Sequence, residues 1–315
     1  MVLKKFILKF LLFVLAFIGI YLFSVNKLSK GYVDSYYNKF TQEAGSLIIG
    51  ISRANQAISP SIIEKEMVNI NIDKPIVNFA VNSYQSPYGE VYFNAIKAKL
   101  KKKSNQGLFI LSVTPGNFTA QSLEKEDILK IDKKTMIGKI SHYSSRPNYD
   151  YIINNYSEPL YNLFYPLNWK HQISHTDGWN EVKLEYGQQK ISDNDILAWK
   201  AQTLKKNEKR AKSDTISIYR INHFINLIKY LKNKGNVFIV RLPSDIDMIN
   251  LENEKWSSFN LEMSNIAKTN NVPFLNYTQQ LNEYKTYDGS HLESESAKKF
   301  TKVLSDDIKS FLLKK

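Results

Sequence analysis

Three residues suited to acyl-transfer chemistry lie far apart in the chain. Ser52 follows the apolar run Ser46-Leu47-Ile48-Ile49-Gly50, where a strand would turn sharply into a helix. Asp288 and His291 are three apart near the other end, with Gly289 between them to permit a tight turn. A serine hydroxyl is a poor nucleophile until a base takes its proton. An Asp-x-x-His turn can supply that base. The carboxylate holds one ring nitrogen, sets the tautomer and stabilises the imidazolium, while the other nitrogen faces the serine. Such chemistry calls for no cofactor and no metal. Each group alone has a plainer use, as helix cap, turn former or surface histidine. Only the three together point to catalysis.

For these groups to meet, the fold must bring distant strand ends to one rim. The chain has elements suited to that. Short apolar runs at Ser46–Gly50, Pro75–Val81, Gly107–Val113, Val237–Leu242 and Val272–Asn276 predict five strands. Helical patterns lie between them: from Pro60, after the cap Ser59, to Met67; from Tyr88 to Lys103; from Asp214 to Lys234; from Glu252 to Thr269; and from Ser294 to Leu312. Apolar strands alternating with helices predict a parallel sheet covered on both faces, a three-layer α/β domain with its site at the C-terminal strand ends. The alternation stops between about 118 and 212, in a polar, Tyr- and Asn-rich stretch that reads as an insertion after strand three with some helices of its own.

Gly50-Ile51-Ser52 after the first strand and Asp288-Gly289-Ser290-His291 before the last helix together resemble the SGNH (GDSL-type) hydrolase superfamily. The string Ile48-Ile49-Gly50-Ile51-Ser52-Arg53-Ala54 is similar to the Gly-x-Ser-Arg variant of membrane-anchored bacterial members, as is Arg241-Leu242-Pro243 after strand four. The resemblance covers roughly residues 44–118 and 213–315. It implies a flavodoxin-like (SGNH-type) fold, a catalytic triad of Ser52, His291 and Asp288, and an oxyanion hole with three donors. These would be the Ser52 backbone N–H, a donor after strand two (Asn82 or Ser83) and the amide of Asn117 after strand three. The chain departs from the family there. It has no Gly after strand two, no Gly-x-Asn-Asp spacing after strand three, and Ile51 where GDSL enzymes often carry aspartate. Losing one hole donor costs ~3 kcal/mol of transition-state stabilisation, so these departures bear on turnover more than on fold. Arg53 and Arg241 are candidates for binding a substrate anion, with salt bridging as their plainer use.

The resemblance implies a serine esterase or O-acyltransferase. Its substrate would be an acylated cell-surface glycan or another acyl ester, with acetyl the foremost acyl group. Loose similarity to accessory proteins of alginate acetylation and of D-alanyl transfer to teichoic acids makes transfer as well as hydrolysis an expectation. The altered second and third blocks support an alternative: a catalytically silent SGNH-like scaffold or glycan-binding protein in envelope polysaccharide assembly.

Composition sets the compartment. The chain has 315 residues, with 43 Lys plus Arg against 30 Asp plus Glu, and 43% hydrophobic content. These values fit a globular protein rather than a disordered one. Cysteine is absent, which excludes disulfides, a thiolate nucleophile, a Cys-ligated metal and a lipoprotein anchor. Phe6 to Val25 is apolar apart from Lys9, and no small-residue cleavage site follows. This predicts an uncleaved signal anchor over residues 1–30, with a cytoplasmic N-terminus and the rest outside. Residues 31–43 read as a helical stalk and 44–315 as the SGNH-like domain. No nucleic-acid motif is present, and the basic surplus would favour an anionic polymer or lipid headgroups. His171 and His175 have a spacing that could bind a metal on a helix, but no third ligand is evident, so no metal is expected there.

Overall fold

The computed structural model describes residues 2–82, 85–165, 168–280 and 283–314. Five strands form one sheet: β1 (Ser46–Ile49), β2 (Ile76–Asn78), β3 (Gly107–Ser112), β4 (Gly235–Arg241) and β5 (Phe274–Asn276). All pairings are parallel, in the order β5-β4-β3-β1-β2. The order reverses between β1 and β3, and such switch points open a crevice at the C-terminal strand ends.

The strands alternate faces with period two, and this divides the core. Leu47, Ile49, Phe109, Leu111, Val237 and Ile239 point into one buried cluster, and Ile48, Leu108, Ile110, Phe238 and Val240 into the other. Eleven α-helices are described. In chain order they are α1 (Val2–Ser29), α2 (Ser52–Ala57), α3 (Pro60–Glu66), α4 (Glu90–Lys99), α5 (Lys125–Asp132), α6 (Tyr149–Asn155), α7 (Asp193–Ser213), α8 (Ile218–Lys232), α9 (Ile246–Lys255), α10 (Phe259–Thr269) and α11 (Ser294–Leu313). Side chains of α4, α8 and α10 fill the first cluster, and those of α2, α3 and α11 fill the second. A sheet apolar on both faces needs this double cover.

α1 is long and apolar enough to cross a membrane. Its most apolar 18 residues have a mean hydropathy of 2.6, and none is buried by the rest of the chain. The stretch expected as a stalk is not one. Val33, Tyr37 and Phe40 are buried in the first cluster, and Tyr37–Phe40 is a single 3-10 turn. Lys39 and Lys99 are fully buried. The Lys39 ammonium donates to Asn78 O at 2.9 Å and to Gly178 O, and burial pushes its pKa well down. The Lys99 Nζ donates to Lys39 O at 2.5 Å and Tyr143 O at 2.8 Å. The apolar spacing Val33, Tyr37, Phe40 is therefore a packing face rather than a spacer.

The insertion is partly core as well. Phe118, Ile137, Ile140, Tyr151 and Ile152 join the first cluster. It is tied down by a bidentate pair from α5 to α8, in which Arg220 donates to the Asp132 carboxylate at 2.6 and 2.7 Å, both side chains being 6% exposed. Removing one partner of a buried pair leaves an uncompensated charge. Asp132→Ala is expected to destabilise the chain by about 3–5 kcal/mol. Urea unfolding followed by tyrosine fluorescence checks this, and an unchanged midpoint would contradict it.

Candidate active site

The nucleophile's position follows from a glycine. A Cβ on Gly50 would lie 2.8 Å from both the Ala54 and Ser112 Cβ atoms, so only a residue without a side chain lets β1 turn here. Ile51 is the extended N-cap and Ser52 the first residue of α2. In the first turn of a helix the backbone N–H has no acceptor within the helix. The Ser52 amide and hydroxyl therefore stand together at the end of β1.

The base comes from the turn before α11. Gly289 has φ +78°, a left-handed conformation that L side chains rarely adopt, which lets the chain reverse between Asp288 and His291. Asp288 Oδ1 accepts the backbone N–H groups of Ser290 (2.9 Å) and His291 (2.8 Å). Asp288 Oδ2 lies 2.7 Å from His291 Nδ1, and His291 Nε2 lies 2.8 Å from Ser52 Oγ. Burial alone would raise the Asp288 carboxyl. The adjacent His291 ring and the two backbone donors outweigh it and hold the carboxyl below its ordinary range. The ring of Tyr287 stacks on His291 at 5.8 Å, and its hydroxyl donates to Gln56 Oε1 at 2.8 Å, which fixes the imidazole from its other side.

The three groups open onto a cavity of about 180 Å³. Ile51, Thr114 and Gly116 line it on the sheet side, and Met248, Leu251 and Glu252 line it from α9. The remaining wall is α7. Thr203, Lys206, Asn207, Arg210 and Ala211 recur at helical spacing along the face it turns to the cavity. The helix is pinned by a capping box at Ser192 and Asp195 and by Lys200, which reaches Asp245 at 2.9 Å and Asp247 at 2.7 Å. This wall belongs to the insertion, where the sequence predicts some helices without placing them.

The two arginines behave differently. Arg53 lines the cavity. Its Nε donates to Ser290 Oγ at 3.0 Å and its Nη2 meets Glu252 at 2.7 Å, while Nη1 is buried with no partner among the described residues. Arg241, expected as a substrate ligand, is 0% exposed and does not line the cavity. It donates to Asn260 at 2.6 Å, Glu252 at 3.0 Å and Asn253 at 3.1 Å. Glu252 thus bridges both guanidiniums, and Arg241 acts behind the wall by holding the carboxylate that holds Arg53. The reason lies in register: on β4, Arg241 shares a face with Val237 and Ile239, which point into the core.

Neither asparagine expected in the oxyanion hole lines the cavity. Asn82, after β2, is half-buried, with its carbonyl accepting from Gln85 N at 3.3 Å, and it is not among the lining residues. Ser83 lies outside the described residues. Asn117 is fully buried behind Thr114 and Gly116. Its Oδ1 accepts the Thr114 backbone N–H at 2.6 Å, closing a capping box, and its Nδ2 is left without a partner among the described residues. Turn chemistry accounts for the oxygen but not for the donor.

His171 and His175 flank a short hairpin strand rather than lying on a helix. Their rings are already engaged, by Lys183 O at 2.8 Å and by Glu181 at 2.9 Å. Among the described residues, no group of three or more Asp, Glu or His side chains is arranged to hold a metal ion.

No family model matches the chain, and no curated protein matches its sequence. What the site can do must follow from its geometry. A hydroxyl, an imidazole and a carboxylate in hydrogen-bonded series, beside a solvent-reached cavity, can move one proton off an alcohol and return it to a leaving group.

Proposed function

We propose that the chain is a membrane-anchored serine esterase or O-acyltransferase of SGNH type. The observation that carries this is the unbroken series Asp288–His291–Ser52, at 2.7 and 2.8 Å, on the rim of a cavity. The strand order with its reversal beside β1 supports the flavodoxin-like reading of the sheet. His291 Nε2 takes the Ser52 proton as Oγ attacks the acyl carbon. The Ser52 backbone N–H, in the first turn of α2, stabilises the oxyanion. His291 then protonates the leaving alcohol, and the acyl group stays on Ser52. Water or a second alcohol gives its proton to His291 and attacks, releasing the acid or the new ester.

The cavity is smaller than the ~300–1,000 Å³ of sites for drug-sized ligands, which suits a short acyl group such as acetyl. Its mixed wall of Arg53, Lys206, Arg210, Lys255, Asp214 and Glu252 suits a polar alcohol such as a glycan. Lys4 and Lys5 ahead of the apolar stretch, with Lys9 near its start, favour a cytoplasmic N-terminus and an extracytoplasmic domain.

The placement of Asn82 and Asn117 off the cavity wall favours a second reading, a silent scaffold that binds an envelope polymer. A fluorophosphonate separates the two, because it phosphonylates only an activated serine. The full chain in detergent is expected to gain one adduct, on the peptide containing Ser52, and His291→Ala is expected to gain none. An unlabelled wild-type chain overturns the enzyme reading and leaves the scaffold.

A further inference from the structure

α1 enters the domain with no spacer. Ser24, Val25 and Leu28 are already buried in it, while the helix ahead of them is exposed. At 1.5 Å per residue, the apolar stretch before Ser24 is about as long as the ~30 Å hydrocarbon core of a bilayer. Whatever surrounds the exit of α1 must therefore lie at the level of the lipid headgroups.

What surrounds it is α6 and the 3-10 turn Leu160–Leu163, both in contact with α1. The Lys27 ammonium sits 3.9 Å from the centre of the Phe164 ring, and the Tyr149 hydroxyl donates to Asn26 at 3.3 Å. Six large side chains here are 40–75% exposed: Tyr149, Ile153, Leu160, Tyr161, Phe164 and Tyr165. Beyond α1, exposed residues such as Val68, Leu123, Ile218 and Leu261 stand apart in sequence, the scattering normal for a soluble surface. A cluster continuous with an apolar helix needs a different account.

We propose that this patch is a lipid-docking surface, seated in the headgroup interface of the bilayer that α1 spans. Aromatic side chains with a polar tip favour that depth, and Lys27 and Lys30 at the same level would meet anionic headgroups. Two attachments in place of one fix the tilt of the domain, and with it the height of the cavity above the membrane. The inference rests on reading α1 as a membrane span and is independent of the chemistry assigned to Ser52.

The chain has no cysteine, so each Cys substitution gives a single labelling site. Phe164→Cys, Tyr165→Cys, Phe13→Cys and Leu261→Cys variants of the full chain carry an environment-sensitive fluorophore in phosphatidylcholine–phosphatidylglycerol nanodiscs. Leu261 is on α10, which packs on β5, the sheet edge opposite β2, beside which the segment after α1 is held. With headgroup-nitroxide lipid, the labels at 164 and 165 are expected to lose roughly half their emission and the label at 261 almost none. A deep-chain nitroxide should quench the label at 13. If position 13 is quenched while 164 and 165 behave like 261, the docking surface is overturned and the span stands. Blue-shifted but unquenched labels at 164 and 165 mean that protein covers the patch, which also overturns it. An unquenched label at 13 removes the span and the docking surface together.

Discussion

Ser52→Ala is expected to lower acetyl-ester hydrolysis by about 10⁴-fold or more, to the rate that binding and oxyanion donors alone sustain. At 1.36 kcal/mol per decade this is roughly 5 kcal/mol of transition-state stabilisation or more. The loss should appear in kcat, because the Oγ bond to carbon exists in the transition state and not in the bound ester. His291→Ala should cost nearly as much, since that ring, 2.8 Å from Oγ, is its hydrogen-bonded base. The double variant decides the mechanism. Groups that act as one unit are strongly non-additive, so removing both should cost little more than removing either. Multiplicative losses would mean that Ser52 and His291 contribute separately, for example as binding groups. Wild-type activity in Ser52→Ala would refute nucleophilic catalysis at this position. p-Nitrophenyl acetate turnover by the purified full chain measures all four proteins.

How far the site could be read from sequence depended on local constraint. Ser52, Asp288 and His291 sit at turns that a neighbouring glycine makes possible: one that cannot accept a Cβ at 50, and one with φ +78° at 289. Such turns are short-range features, and strand order then determines that they meet. For Arg241 the sequence left substrate ligand and salt bridge both open because residue type says nothing about direction, although the alternation Val237, Ile239, Arg241 along β4 carried the signal. The same holds for the expected stalk, where the spacing of Val33, Tyr37 and Phe40 marked a buried face. α7 was hidden for the opposite reason. It has no buried residue among those described, so it lacks the apolar stripe by which a helix is recognised. Its capping box at Ser192 and Asp195 was a local signal that the sequence reading passed over. The expected single helix from Glu252 to Thr269 is broken at Trp256, with no Gly or Pro to announce the break. Glu252, which joins Arg53 to Arg241, could not be found without the packing of α9.

Asp288→Asn is expected to lower kcat by about 10⁴-fold while leaving the fold intact. Hydrogen-bond direction decides the outcome. Asp288 Oδ1 accepts two backbone N–H groups, at 2.9 and 2.8 Å, and these hold the turn. An asparagine can keep both only by placing its oxygen there and its NH₂ against His291 Nδ1. That nitrogen must then accept, so the ring proton moves to Nε2, which would donate to Ser52 Oγ and could not take its proton. The base is lost through the wrong tautomer, not through displacement. KM should change little, because the cavity wall is untouched, and fluorophosphonate labelling should slow in parallel with kcat. Asp288→Ala would also remove the acceptor that holds the turn, so it should lose stability as well as rate. Acid unfolding gives an independent readout. The folded carboxyl is held below its ordinary 3.8, so it contributes stability above that value and loses it as pH falls through its folded pKa. The wild type should therefore lose its margin over Asp288→Asn in that acid window. A variant that keeps turnover within tenfold of the wild type would mean that the carboxylate holds the turn and takes no part in orienting the base.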